Sequence, residues 1–274
     1  MLKCLLVFAV LAGSWNLKWF PSGRAEHRAS MRVEAANIAD AADVVRENLK
    51  DRGRIMFLQE MRDAQACSNL VGAIGDANLK VAVVSAFRDF RDNRLQWQQL
   101  GIITDLPVIE TKWEYAWKAD GMFVPRGYAY ALLDGGKEGK IACFCVHLKS
   151  NYGARKPAKK LENMLKREAG MRQVLEAAKT CGADKVLIAG DFNSDRFQMA
   201  FKSERIFHML ESAGFKDGWG DAPLAERGTH PGNTRYPDST LDYVFHKGFS
   251  RCASRTLVRS VPVSDHRMLV MTFE

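Results

Sequence analysis

The chain breaks into a succession of strand-length apolar runs with helical segments between only some of them, a spacing that leaves few architectures open. The strand-like runs are RIMFLQE (54–60), LKVAVVSAF (79–87), QLGIITDLPVIE (99–110), YAYALLD (128–134), KIACFCVHL (140–148), KVLIAGD (185–191), LDYVFHK (241–247), ASRTLVRS (253–260) and RMLVMTF (267–273). Apolar residues at helical spacing occur in 34–49 and 159–180, and Gly182 follows the second as a stop. This excess of strands predicts an α+β fold, a four-layer α/β-β/α sandwich of two packed mixed β-sheets flanked by helices. With 274 residues, 47% of them hydrophobic, the chain can bury such a core. No repeat, low-complexity tract or linker appears, so a single domain over 1–274 is expected.

The N-terminal MLKCLLVFAVLAGS admits two readings. A Lys, an apolar stretch and small residues resemble a short signal peptide, too short to span a bilayer. The same stretch, running into Trp15 and Asn16, reads as a buried central strand, which we favour. A cytoplasmic location goes with the strand and export with the signal. The six cysteines (Cys4, Cys67, Cys143, Cys145, Cys181 and Cys252) form no CxxC pair and keep no histidine spacing. That argues against a zinc site and against a dense disulfide framework.

The informative feature is where polar residues fall along each run. Apolar segments end at Asn16, at Glu60, at His147 and Asn151, and at Asp191 and Asn193, whereas two later strands begin with Asp242 and with Asp265–His266. Where neighbouring strands run antiparallel, the end of one and the start of the next share a rim, so all these groups can meet at one edge of the sandwich. In IAGDFNSD (188–195) the bland alternative is a strand closing in a turn, because Gly, Asp, Asn and Ser do that for conformational reasons alone. Clustered carboxylates raise one another's pKa by about a unit or more and need a positive partner. Oxygen donors from Asp, Glu and Asn suit a hard divalent cation, Mg²⁺ or Mn²⁺, and histidines beside it suit phosphoryl chemistry.

The motifs SWNLKWF, FLQEM, VHLKSN, IAGDFNSD, LDYVF and SDHRMLV, in this order over residues 14–270, resemble those of the endonuclease/exonuclease/phosphatase superfamily, in its deoxyribonuclease I-like form. The resemblance implies a metal-dependent phosphodiester hydrolase. It implies that Glu60 is the principal metal-binding residue, with Asp265 and Asn16 near the same ion. Asp191 then activates or orients the attacking water, and Asn193 binds phosphate beside it. His266 stands at the scissile phosphate with its imidazole held by Asp242, and His147 is a second active-site histidine. Two departures narrow the activity. Lys18 stands where many abasic-site endonucleases of the superfamily carry an acid, and their Tyr and Asn motif is missing from the slot of VHLKSN. Abasic-site repair is thus disfavoured.

Substrate choice is less legible. Lys plus Arg number 40 against 32 for Asp plus Glu, a net charge of +8 that favours a polyanion such as nucleic acid. A basic stretch from Lys149 to Arg172 begins at the expected rim and suits either a phosphate backbone or a solvated helix face. Asn151, Arg126 and Lys149 are candidate substrate binders. FRDFRDNRLQWQ (87–98) interleaves aromatic and cationic residues, as a stacking loop or as an ordinary polar connection. KWEYAW (112–117) reads as a strand with Trp113, Tyr115 and Trp117 packed inward on one face. A nuclease on DNA or RNA is the first expectation. A phosphodiesterase or phosphatase on a small-molecule or lipid phosphate, sphingomyelinase-like or inositol-phosphatase-like, is the alternative. A binding protein that keeps the fold without catalysis is a third. No apolar hairpin or basic amphipathic helix suggests a membrane partner, and a monomer is expected.

Overall fold

The computed structural model describes residues 9–24, 28–51, 53–119, 121–234, 237–259 and 263–274. Chain order partitions the strands between two sheets. The first four, β1 (Val10–Phe20), β2 (Arg54–Met61), β3 (Lys80–Val84) and β4 (Gln99–Thr104), lie in sheet one. The next six, β5 (Val108–Glu114), β6 (Tyr128–Asp134), β7 (Lys140–His147), β8 (Lys185–Asp191), β9 (Lys216–Asp217) and β10 (Asp242–Lys247), form sheet two. The last two, β11 (Cys252–Val258) and β12 (Met268–Phe273), return to sheet one. The orders are β11-β12-β1-β2-β4-β3 and β5-β6-β7-β8-β10-β9.

Each sheet is mixed for the same reason. β1 and β2 are parallel, as are β7 and β8, and a parallel pair needs a crossover. Helix α1 (Met31–Asn48) supplies the first and α3 (Pro157–Thr180) the second, while α2 (Ala64–Ile74) adds to the cover of sheet one. Strand alternation sets the layers: Ile55 and Phe57 join the core between the sheets, and Met56 and Leu58 join the cluster under α1 and α2. The expected two-sheet sandwich with flanking helices is the observed fold.

Local differences from the sequence reading have physical causes. Helix α1 begins at Met31, not at 34, because the Ser30 hydroxyl caps it by accepting from the Val33 amide. Helix α2, unforeseen in the apolar pattern, is bounded by Asp63, whose carboxylate accepts from the Ala66 amide, and by left-handed Gly75. QLGIITDLPVIE is two strands in different sheets. The chain turns at Asp105, whose carboxylate takes the Arg54 amide at 2.7 Å and the Arg54 Nε at 3.0 Å, and Pro107 blocks continuation. KWEYAW does not pack inward throughout. β5 is an edge strand that stops at Glu114; Trp113 and Tyr115 pack on Phe87, but Tyr115 and Trp117 are exposed because no layer covers them. Residues 10–14 lie in β1, paired with both β2 and β12, and residues 1–8 are outside the described residues. The cysteines among the described residues are free, and no described helix is long and apolar enough to cross a membrane.

Candidate active site

Three adjacent strands of sheet two write one row of functional groups. The parallel register pairs His147 with Asp191, and the antiparallel register pairs Asp191 with Asp242. Gly190 makes this approach possible: its φ is 141°, and a Cβ there would lie 1.9 Å from the Val146 carbonyl oxygen. His266, from the loop before β12, lies across the row. Its Nδ1–H donates to Asp242 Oδ2 at 2.8 Å, and its Nε2 is 3.9 Å from Asp191 Oδ2. Buried side chains hold both partners by their backbones. Trp15 Nε1 donates to the His266 carbonyl at 3.0 Å and Trp219 Nε1 to that of Asp242 at 2.9 Å. The Ser264 hydroxyl accepts from the His266 amide, and Thr229 Oγ1 from the Asp242 amide.

Sheet one reaches the same place by an irregular backbone. After the Asn16–Gln59 pair the register jumps to Phe20–Met61, so Leu17, Lys18 and Trp19 oppose Glu60 alone. Lys18, Trp19 and Glu60 have φ values of 49°, 58° and 60°, in the left-handed region. Each such residue costs of order 1–3 kcal/mol, which the surrounding contacts must offset. The bulge turns the Trp19 amide onto Glu60 Oε2 at 3.1 Å and the Lys18 amide onto Asn16 Oδ1 at 3.0 Å. With its oxygen so engaged, the Asn16 amide points Nδ2 at Asp191 Oδ2 (2.9 Å) and Glu60 Oε1 (3.3 Å). One small donor thus touches a carboxylate from each sheet.

Burial and charge then set protonation. Burial pushes the Asp191 carboxyl up to about 7, and Asp242 adds to the rise against the opposing pull of His266, Asn16 and the Asn193 amide. Burial opposes charge on His266, but Asp242, Asp191 and Asp265 outweigh it and raise the imidazole to about 10. His147 is driven well below the ordinary histidine range by burial and then by Arg126, His266 and Lys149. At neutral pH one histidine is therefore an imidazolium and the other neutral. His147 Nε2 lies 3.5 Å from Asp191 Oδ2 and 3.8 Å from Glu60 Oε1.

The rim accounts for the remaining candidates unequally. The Asn193 amide donates to Asp191 Oδ1 at 2.8 Å, and its Nδ2 to the Leu148 carbonyl at 3.1 Å. Asp265 pairs with Lys18 Nζ at 3.0 Å; burial opposes its ionisation, but the Lys18 contact and His266 hold its carboxyl below the usual range. Arg126 is buried and spends its N–H groups on the His147 carbonyl (3.0 Å) and Gln98 Oε1 (2.6 Å), so it reaches the centre through its charge. Asn151 Oδ1 accepts from Asn163 Nδ2 at 3.2 Å and so ties its loop to α3. Lys149 is half-buried, its ammonium brought down to about 8 by burial and by Arg126, Lys166, Lys159 and Arg167.

The basic stretch is partly neutralised, with Glu162 holding Lys159 and Lys166 and Glu204 holding the buried Arg167. The same holds in FRDFRDNRLQWQ, where Arg91 pairs with Asp89 and Arg94 with Asp92. The sequence reading missed His230, whose ring packs edge-on against that of His266 with centroids 4.9 Å apart. It also missed Thr229, Ser264 and Gln98, whose positioning roles no local motif announces.

A hard divalent cation fits this donor set. Glu60 and Asp191 converge on one amide, and the cost of charging buried Asp191 is what a cation would offset. One ligand atom each from Asp191, Asp242 and His266 also lie within 4.8 Å of one another. His266 is committed to Asp242 as a proton donor, however, which leaves the Glu60–Asp191 side as the stronger place for an ion.

The model of the family described as Endonuclease/Exonuclease/phosphatase family matches residues 13–266. No curated protein matches the chain in sequence at a significant level. Among solved structures, an endonuclease/exonuclease/phosphatase from Beutenbergia cavernae superposes with a TM-score of 0.69 at 16% identity, covering 98% of this chain and 72% of that one. Truncated TDP2 from Caenorhabditis elegans gives 0.61 at 18% identity, covering 97% of this chain and 98% of that one. TDP2 from D. rerio, solved with a single-strand DNA product, gives 0.63 at 15% identity, covering 97% and 99%. At these identities the structures establish a shared fold.

Proposed function

The chain belongs to the Endonuclease/Exonuclease/phosphatase family, whose members are hydrolases of phosphate esters, and we propose that it is a divalent-metal-dependent nuclease cleaving DNA or RNA by in-line attack of water. One observation carries this reading: the buried row of His147, Asp191 and Asp242 with His266 laid across it and Glu60 reaching in from the other sheet.

Each residue has a task that its surroundings suit. Asp191, in the middle of the row and between His147 and Asp242 in register, is placed to orient an attacking water and take its proton. His266, an imidazolium with Nδ1 committed to Asp242, presents Nε2–H to a nonbridging oxygen or to the leaving alkoxide. Neutral His147 flanks Asp191 and offers a further N–H for phosphate oxygens, and Asn193 keeps its second Nδ2 hydrogen for the same use. Lys149 and Arg126 add positive potential at the same rim. Glu60 and Asp191 would hold the cation, Mg²⁺ or Mn²⁺, with Asp265 and Asn16 beside them. Bound there, it would polarise the phosphoryl group and offset the carboxylate charge. The basic chain and the fold shared with a protein solved on single-strand DNA product support a nucleic-acid substrate.

The test is hydrolysis by purified protein in Mg²⁺ or Mn²⁺, with and without chelator, of plasmid, single-stranded DNA, RNA, bis-p-nitrophenyl phosphate and sphingomyelin. Metal-dependent cleavage of a nucleic acid is the expected result. Turnover of sphingomyelin alone would replace the nuclease with a lipid phosphodiesterase, and binding without turnover would leave a non-catalytic protein.

A further inference from the structure

Two rim loops place an aromatic–cation cluster beside the catalytic row. Trp19 lies in the β1 bulge, and its backbone amide donates to Glu60 Oε2 at 3.1 Å, which fixes its backbone beside the centre. Arg24, in the loop after β1, puts its guanidinium carbon 5.7 Å from the Trp19 ring centroid and 6.0 Å from that of Tyr152. Tyr152 comes from the loop after β7, next to Asn151 and three positions past Lys149. At 85% exposure it is the most exposed of the large aromatic side chains among the described residues. Phe90, the next most exposed, already rests on Phe123 with ring centroids 4.6 Å apart.

We propose that Trp19, Arg24 and Tyr152 form a stacking platform for an unpaired nucleobase of the strand being cut, which deepens, and rests on, the nuclease reading. A base offers a flat π-face that an exposed ring and a guanidinium can both cover, whatever the base is. A base inside a duplex has both faces taken by its neighbours, so the platform selects single-stranded or frayed ends. With the Trp19 backbone tied to Glu60, the stacked base belongs to a nucleotide near the scissile phosphate. Lys149, three positions before Tyr152, and the buried charge of Arg126 add positive potential for the backbone that such a base carries.

Binding tests this independently of turnover. In Mg²⁺, the full chain is titrated into a labelled, hydrolysis-resistant phosphorothioate single strand, followed by fluorescence anisotropy. Comparison strands are one with a base removed at successive positions and a duplex of the same sequence. Tyr152→Ala should weaken binding of the intact strand roughly tenfold, and Tyr152→Phe should not. Loss of one base near the scissile position should cost the wild type a similar factor and cost Tyr152→Ala little, the non-additivity expected of a direct contact. Equal affinity for intact and base-free strands, tighter binding of the duplex, or wild-type affinity in Tyr152→Ala would overturn the platform. Hydrolysis of bis-p-nitrophenyl phosphate, which has no base to stack, is scored separately and judges the phosphodiesterase reading alone.

Discussion

The two sheets supply the candidate site in opposite ways. Sheet two delivers His147, Asp191 and Asp242 by unbroken register, each at the end or start of a regular strand. Sheet one delivers Asn16 and Glu60 through a register jump with left-handed residues on both strands. The regular half gives a rigid row whose spacing the ladder itself fixes, and it carries the groups whose protonation the protein tunes. The irregular half stores backbone strain to turn one carboxylate and one amide toward that row. On the proposed function the labour would divide accordingly, with the row and His266 serving proton transfer and phosphate contact and Glu60 bringing a carboxylate of sheet one to a cation shared with Asp191.

The largest effects should come from the row of sheet two and the histidine laid across it. His266→Ala or Asp191→Asn should lower turnover at saturating metal at least about a hundredfold, roughly 2.7 kcal/mol in the barrier, with an unchanged circular dichroism spectrum. Near-normal turnover in either variant would take that residue out of the chemistry. Glu60→Gln should break the symmetry of the comparison. It is expected to raise the half-saturating Mg²⁺ concentration tenfold or more and to recover activity in part at high metal, whereas Asp242→Asn should lower turnover without moving the metal curve. Equal metal curves for Glu60→Gln and Asp242→Asn would erase the division.

Stability in chelator sharpens the same contrast through pH. Asp191 is raised to about 7 from an ordinary 3.8, so its contribution is present below about 4 and is lost as pH rises to about 7. His266 is raised to about 10 from 6.5, so its contribution is complete below 6.5 and is lost as pH climbs through 10. In the metal-free protein these two groups thus contribute a Tm slope that is downward across pH 4–10, against the opposite pull of His147, whose lowered pKa favours folding as pH rises. Asp191→Asn should flatten the acidic part of that slope, and an unchanged slope would contradict the burial argument. The smallest effect belongs to Lys18→Ala. Its ion pair with Asp265 is half-exposed, so less than about 1 kcal/mol of stability is expected to change, measured by urea unfolding.

The regular half was also the legible half. A buried strand reads as an apolar run, and a polar residue that ends it must sit at a rim, which is how Asp191, His147 and Asp242 stood out. Glu60 and His266 stood out by the same rule, and the resemblance of six short motifs to a known family then gave each of the five a role. What escaped was set by tertiary context. Nothing local tells that the Trp19 amide serves Glu60, because a bulge depends on the partner strand's register. His230 and Thr229 lie in a loop whose course depends on β10, and QLGIITDLPVIE looked continuous because Pro107 and Asp105 interrupt an otherwise apolar stretch. Arg126 and Asn151 were expected at substrate, but their hydrogen-bonding capacity is drawn into holding the loops, a competition that charge and position alone do not reveal.

Calorimetric titration of Mn²⁺ into the wild type, Glu60→Gln and Asp191→Asn tests most directly whether carboxylates from the two sheets hold one ion. A single site in the wild type, weakened tenfold or more by either substitution, is the predicted result. Mn²⁺ binding that survives unchanged in either variant would mean that the sheets do not share a cation.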